Sequence, residues 1–122
     1  MPEKSIAEKL QVKGARTLAL LNAKPALDRA IGSLDRRAPP AKADVVLFFA
    51  ADKAVLQAKL PGLLQKLPPS SILWIGYAKL TSPLATDLSR DVIREWAPKV
   101  GLDTVSQIAI DDDWSALRLK RL

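Results

Sequence analysis

The chain contains no histidine and no cysteine. Without cysteine it can form no disulfide and no thiolate metal site, and without histidine the usual zinc sites and every imidazole mechanism fall away. No apolar run approaches the roughly 20 residues that cross a bilayer, and the opening Met1-Pro-Glu-Lys lacks the apolar core of a signal peptide. A cytoplasmic protein with no membrane partner is therefore expected. Glycine is scarce too, with five in the chain and none in Leu20-Leu-Asn-Ala-Lys-Pro25.

What is present is ordinary for a globular domain. A chain of 122 residues, 48% hydrophobic and 26% charged, buries roughly two-thirds of its unfolded surface and forms a core without covalent staples, as one domain. The net charge is +6, from 19 Lys and Arg against 13 Asp and Glu. The basic residues are scattered from Lys4 to Arg121 and grouped only at Arg36 with Arg37, and at Arg118, Lys120 and Arg121. Such scatter disfavours nucleic acid as a partner.

Along the chain, Ser5 to Leu10 has the capping-box pattern of a short helix, with Ser5 as cap, Glu8 three residues on and Gly14 as a stop. Thr17 to Leu21 is apolar at almost every position, as in a strand covered on both faces. Pro25 fits the first turn of a helix ending near Leu34, with Leu27, Ala30, Ile31 and Leu34 at helical spacing. Ser33 to Arg37 reads as a loop or as a short edge strand. Asp44 to Ala50 is the clearest strand, rich in β-branched and aromatic residues.

Asp52 then caps a helix whose Leu56, Leu60, Leu63 and Leu67 share one stripe. Pro61-Gly62 interrupts it, so a kink or two short helices are expected. Ser71 to Tyr77 is the next strand, followed by a polar loop from Lys79 to Ser89. Ser89 caps a helix with Val92, Ile93, Trp96 and Val100 buried, bent near Pro98 and stopped at Gly101. Thr104 to Ile110 and Ser115 to Arg121, joined by Asp111-Asp-Asp-Trp114, form an antiparallel hairpin.

The order αβα(β)βαβαββ specifies a small Rossmann-like α/β fold in three layers: a mostly parallel sheet of five to six strands with a C-terminal antiparallel hairpin. If the strands add in one direction, right-handed crossovers place all three crossover helices on one face. An edge strand at Ser33 to Arg37 reverses the direction, puts the helix from Pro25 on the second face, and buries Leu18, Leu20, Val46 and Phe48 or their neighbours there. That arrangement is favoured. Dimer formation through a bare face is the other way to cover the sheet.

Ligands of open α/β sheets bind beyond the carboxyl ends of the strands. Those ends supply Asn22 and Lys24, then Ala50 and Asp52, then Tyr77, Lys79 and the loop to Asp87. Asn22, Asp52, Lys79, Thr86 and Asp87 are the candidate ligand-binding residues. Each also has a structural reading: Asp52 as a helix cap, Lys79 as a solvated amine, Thr86 and Asp87 as residues that order the loop. A dinucleotide or S-adenosylmethionine (SAM) site needs glycine after the first strand so that backbone approaches the ligand, and that glycine is missing. No cofactor is expected, although a smaller or differently held ligand is not excluded. No catalytic group is assigned. Asp111 to Asp113 lacks the spaced ligands of a calcium loop and reads as a turn, so no metal site is assigned either. Arg118 and Lys120 alternate with Leu117 and Leu119, as on an edge strand with a wet face.

The segments Asp44-Val-Val-Leu-Phe-Phe49, Leu73-Trp-Ile-Gly-Tyr-Ala-Lys79, Ala85-Thr-Asp-Leu-Ser89 with Val92-Ile-Arg-Glu95, and Asp113-Trp-Ser-Ala-Leu-Arg118 resemble a small bacterial family known only as domain-of-unknown-function family 3052. The resemblance covers nearly the whole chain. Where the family has paired lysines in the loop after the third strand, this chain has Lys79 followed by Leu80. The resemblance implies a reduced relative of the methyltransferase-type Rossmann fold, with no activity and no catalytic residues to carry over.

Two functions are open at this point. One is a non-catalytic cytoplasmic domain that binds a partner or associates with itself, a homodimer included. The other is a small-molecule binder, or residual methyltransferase-like protein, with its pocket at the carboxyl ends of the strands. The missing chemistry leans away from an enzyme.

Overall fold

The computed structural model describes residues 6–12, 16–32, 37–68 and 70–121. Helix α1 (Ile6–Lys9), strand β1 (Leu18–Leu21) and helix α2 (Pro25–Ile31) are followed by a 3-10 turn (Pro40–Lys42), strand β2 (Val45–Phe49) and helix α3 (Lys53–Lys66). Strand β3 (Ile72–Ala78), helix α4 (Arg90–Trp96) with a 3-10 extension (Ala97–Val100), and strands β4 (Leu102–Ala109) and β5 (Trp114–Arg121) complete the order. The expected cap at Ser5, the stop at Gly14 and the helix end at Leu34 lie outside the described residues.

The strands form one five-stranded sheet in the order β1-β2-β3-β5-β4. The β1–β2 and β2–β3 ladders are parallel, and the β3–β5 and β4–β5 ladders antiparallel. The sheet is thus mixed, not mostly parallel as expected. The reason lies in β5, where Ala116, Leu117 and Leu119 are all buried. A strand with apolar residues on both faces goes inside a sheet, so β5 turns back into the slot between β3 and β4. Arg118, expected on the wet face of an edge strand, is therefore interior and half-buried, opposite Trp74 and Ser106.

The edge belongs to β4. Its register shifts between Thr104 and Ser106, and Val105 beside the shift is 50% exposed. Such a bulge on an edge strand discourages unwanted pairing.

Next to β1, Arg37 makes a single parallel bridge to Leu18, and the Ala38 N–H donates to the Leu18 carbonyl at 3.0 Å. The rest of the expected edge segment, residues 33–36, lies outside the described residues. One bridge is enough to reverse the direction of strand addition. The Arg37 guanidinium fastens this turn by donating to Asp28 Oδ1 and to the Gly32 carbonyl, each at 2.9 Å. Gly32 itself sits at φ 68°, a backbone region that favours glycine.

Helices α1 and α2 accordingly cover one face, where Leu10, Leu27 and Ile31 pack on Leu18, Val45, Leu47, Phe49 and Trp74. Helices α3 and α4 cover the other, where Leu56, Leu60, Leu63 and Ile93 pack on Val46, Phe48, Leu73 and Ile75. The favoured two-face arrangement holds, with one refinement. The register Leu18↔Val45 puts Leu18 and Leu20 on the same face as Val45 and Leu47, and sends Val46 and Phe48 to α3 and α4. Ala30, expected in the α2 stripe, is exposed.

Helix α3 is continuous through Pro61 rather than broken. Gln57 and Pro61 both face solvent, so the carbonyl deprived of its donor is left to water. The expected stripe of Leu56, Leu60, Leu63 and Leu67 is buried. Arg121 donates to the Leu64 carbonyl at 2.9 Å and the Leu67 carbonyl at 3.4 Å, capping the carboxyl end of the helix. Among the described residues no helix is long and apolar enough to cross a membrane.

Candidate functional site

At the carboxyl ends of the strands, sequence and geometry first produce a knot of polar contacts. Asp52 closes the turn after β2 and starts α3, and its Oδ1 accepts the Val55 N–H at 2.9 Å as an N-cap. Asp87 Oδ1 accepts the Lys53 N–H at 2.9 Å. The Thr86 hydroxyl donates to the Ala51 carbonyl at 2.7 Å. Two of the five candidate residues, Thr86 and Asp87, thus join the loop after β3 to the turn after β2, and a third, Asp52, caps α3.

The same loop is fixed to the β4–β5 hairpin from its other side. The Lys79 N–H donates to the Asp113 carbonyl at 2.8 Å. The Ser82 hydroxyl, buried to 7% exposure, donates to Asp113 Oδ1 at 2.8 Å. Asp111 Oδ1 accepts the N–H groups of Asp113 and Trp114, both at 2.8 Å. The acidic trio is therefore a turn, and no group of acidic residues that could hold a metal exists among the described residues.

The remaining two candidates fall into separate clefts. Asn22, at φ 59°, borders a cleft of about 220 Å³ with Lys24, Leu27, Phe49, Val55 and Trp114. This cleft lies beside β1 and β2, next to the point where strand order reverses, which is where open α/β sheets hold their ligands. Here aromatic rings form the wall. The Phe49 and Trp114 rings meet edge to face at 5.5 Å and 86°, and Phe49 in turn lies over Gly76, where an added Cβ would come within 2.5 Å of Phe49 Cδ1.

Lys79 borders a larger crevice of about 540 Å³ between the ends of β3 and β4, with Tyr77, Ser115, Arg90, Asp91, Gln107, Ile108 and Leu80 around it. Tyr77 and Ser115 are cross-strand partners, exposed by only 3% and 2%. The Tyr77 hydroxyl is buried with no hydrogen-bond partner. Burial pushes this phenol above its ordinary 10.0; the Arg90 guanidinium and the Ser115 hydroxyl pull the other way, and Asp91 adds to the rise. The Ser115 hydroxyl is thus close enough to favour the phenolate without reaching hydrogen-bond geometry. Arg90 reaches Gln107 Oε1 at 3.5 Å, and Asp91 is held by Arg94 at 3.0 Å.

Of this second site the sequence supplied Lys79 alone as a candidate. Arg90, Gln107 and Ser115 come from three successive elements, α4, β4 and β5. The signal that pointed to them was Tyr77, a polar residue at the end of an otherwise apolar strand.

No family model and no curated protein matches the chain. Solved structures do. LepI in complex with SAM superposes with a TM-score of 0.55 at 13% identity, covering 96% of this chain and 39% of that one. The B. subtilis tRNA methyltransferase TrmK gives a TM-score of 0.58 at 11% identity, covering 96% of this chain and 64% of that one. A TehB-like SAM-dependent methyltransferase from Corynebacterium glutamicum gives 0.55 at 10% identity, covering 97% and 88%. The fold is that of the SAM-dependent methyltransferases. At such identities the likeness carries the fold alone, and the chain spans less than two-thirds of the length of the first two of these proteins.

Whether the residues beside β1 and β2 suit SAM can be judged from the cleft itself. After β1 stand Asn22, Ala23, Lys24 and Pro25, with no glycine to admit a ligand against the backbone. The walls of this cleft are chiefly apolar, and another cleft that Asn22 borders, about 450 Å³ between β1 and α3, has Lys59 and Lys66 but no carboxylate in its lining. The residues present do not fit the cofactor.

Proposed function

We propose that this chain is a small-molecule binding protein built on a methyltransferase-type fold, acting in the cytoplasm without transferring methyl groups itself. The observation that supports this is the pair of clefts: the one beside β1 and β2 is small and walled by the packed rings of Phe49 and Trp114, whereas the one between β3 and β4 is larger and has Lys79 and Arg90 on its border. Coverage of both sheet faces by helices favours a ligand over self-association, since no face is left that needs a second copy. Membership in the domain-of-unknown-function family 3052 belongs to the same proposal and rests on the sequence segments quoted above.

Thermal unfolding with and without SAM and S-adenosylhomocysteine tests the reading. Ligand at 100 times its dissociation constant stabilises by about 2.7 kcal/mol, so a binder is easily seen. We expect an unchanged melting temperature with both compounds. A clear rise with either would overturn the proposal. Light scattering after size exclusion is expected to give the mass of one chain.

A further inference from the structure

We propose that the crevice between β3 and β4 binds a small oxyanion, carboxylate or phosphate, carried on an apolar body, with the Tyr77 hydroxyl as donor and Lys79 and Arg90 as counter-charges. This rests on the binding reading above and gives it a ligand chemistry.

The first observation is the orphaned hydroxyl. Buried polar groups are normally paired, and one left without a partner is unfavourable. Tyr77 is 3% exposed, its hydroxyl meets no partner, and its ring borders the crevice. A phenol is protonated at neutral pH, and burial raises its pKa further, so the hydroxyl has a proton to donate.

The second observation is charge. Lys79 and Arg90 border the crevice with one carboxylate, Asp91. Asp91 is already taken by Arg94 at 3.0 Å and lies 3.8 Å from Arg90. The balance is positive, which suits an anionic acceptor better than a neutral one. The third observation is apolar surface beside the charges. Leu80 is 70% exposed and borders the crevice. An apolar portion of the ligand would cover it. At about 540 Å³ the space falls inside the usual range of roughly 300 to 1,000 Å³ for small-molecule sites.

The test is a titration of the ¹⁵N-labelled chain, followed by amide shifts, with benzoate, phenyl phosphate and neutral benzyl alcohol as probes. Benzoate or phenyl phosphate should move the amides of Lys79, Leu80, Gln107, Ile108 and Ser115, and the tighter of the two assigns carboxylate or phosphate. Benzyl alcohol should bind at least several-fold more weakly. Tyr77→Phe removes only the orphaned hydroxyl and should weaken the anion about tenfold, the scale of a hydrogen bond to a charged group. Arg90→Gln, at an exposed position, should weaken it by a smaller factor that shrinks with added salt. The proposal is overturned if neither anion moves these amides, or if Tyr77→Phe and Arg90→Gln both bind as the parent does. Equal binding of benzyl alcohol overturns the oxyanion assignment while the binding reading stands. A thermal shift with SAM instead overturns the reading that the cleft beside β1 and β2 takes no cofactor, and leaves the crevice to be judged by the amide shifts alone.

Discussion

The two clefts at the carboxyl ends of the strands are built from the same sheet, and they differ in what the sequence puts at their floors. Beside β1 and β2 the floor is aromatic: Phe49 and Trp114 lock together, and Gly76 leaves room for the Phe49 ring. Between β3 and β4 the floor is a pair of hydroxyls, Tyr77 and Ser115, on adjacent strands. The first cleft spends its volume on packing, which adds stability and leaves little to bind. The second keeps a polar group unsatisfied, which lowers stability and leaves something for a ligand to do.

Substitutions separate the two. Phe49→Ala should be the most damaging, by about 3 to 4 kcal/mol in urea unfolding, because a buried aromatic and the packing of Trp114 are lost together. A loss below about 1 kcal/mol would mean that the first cleft is not the packed region described. Gly76→Ala should cost about 2 kcal/mol, since the new methyl meets a ring that is itself enclosed. Asp87→Ala should cost about 1 kcal/mol through the lost bond to the Lys53 N–H. It should also leave binding of phenyl phosphate in the second cleft unchanged, as befits a residue that joins loops.

At the small end, Tyr77→Phe should unfold within about 0.5 kcal/mol of the parent or be slightly more stable, because it removes a hydroxyl that has no partner. The parent should show an alkaline weakness that this variant lacks. The unfolded chain gives up the phenolic proton near 10.0, whereas the folded chain keeps it to higher pH. Between those two values the unfolded state binds fewer protons, so stability falls as pH rises and is unaffected below them. Tyr77 is the only tyrosine, so phenolate absorbance reports on it alone. A midpoint at or below 10.0 in the folded chain would refute this.

The order of elements was legible because it depends on local pattern. The buried run Val45–Phe49, the caps at Asp52 and Ser89 and the stop at Gly101 all follow from residue type and spacing. Strand order within the hairpin was not, since whether β5 or β4 takes the edge depends on which has both faces apolar when paired, a non-local property. The site was legible in part for the same reason. Asp52, Thr86 and Asp87 were visible as polar residues at strand ends, but their acceptors and donors, Val55, Ala51 and Lys53, are found only in the folded chain. The pairing of Tyr77 with Ser115 needs an antiparallel ladder that joins residues nearly forty positions apart.

The interior place of β5 also bears on the order in which the chain can assemble. During synthesis β1, β2 and β3 emerge first and can form their parallel ladders while β3 still has one side unpaired. Strand β4 is made next but touches β3 only through β5. Until residues 114–121 are available, β3 lacks its second neighbour, and Leu73, Trp74 and Ile75 lie along an open edge.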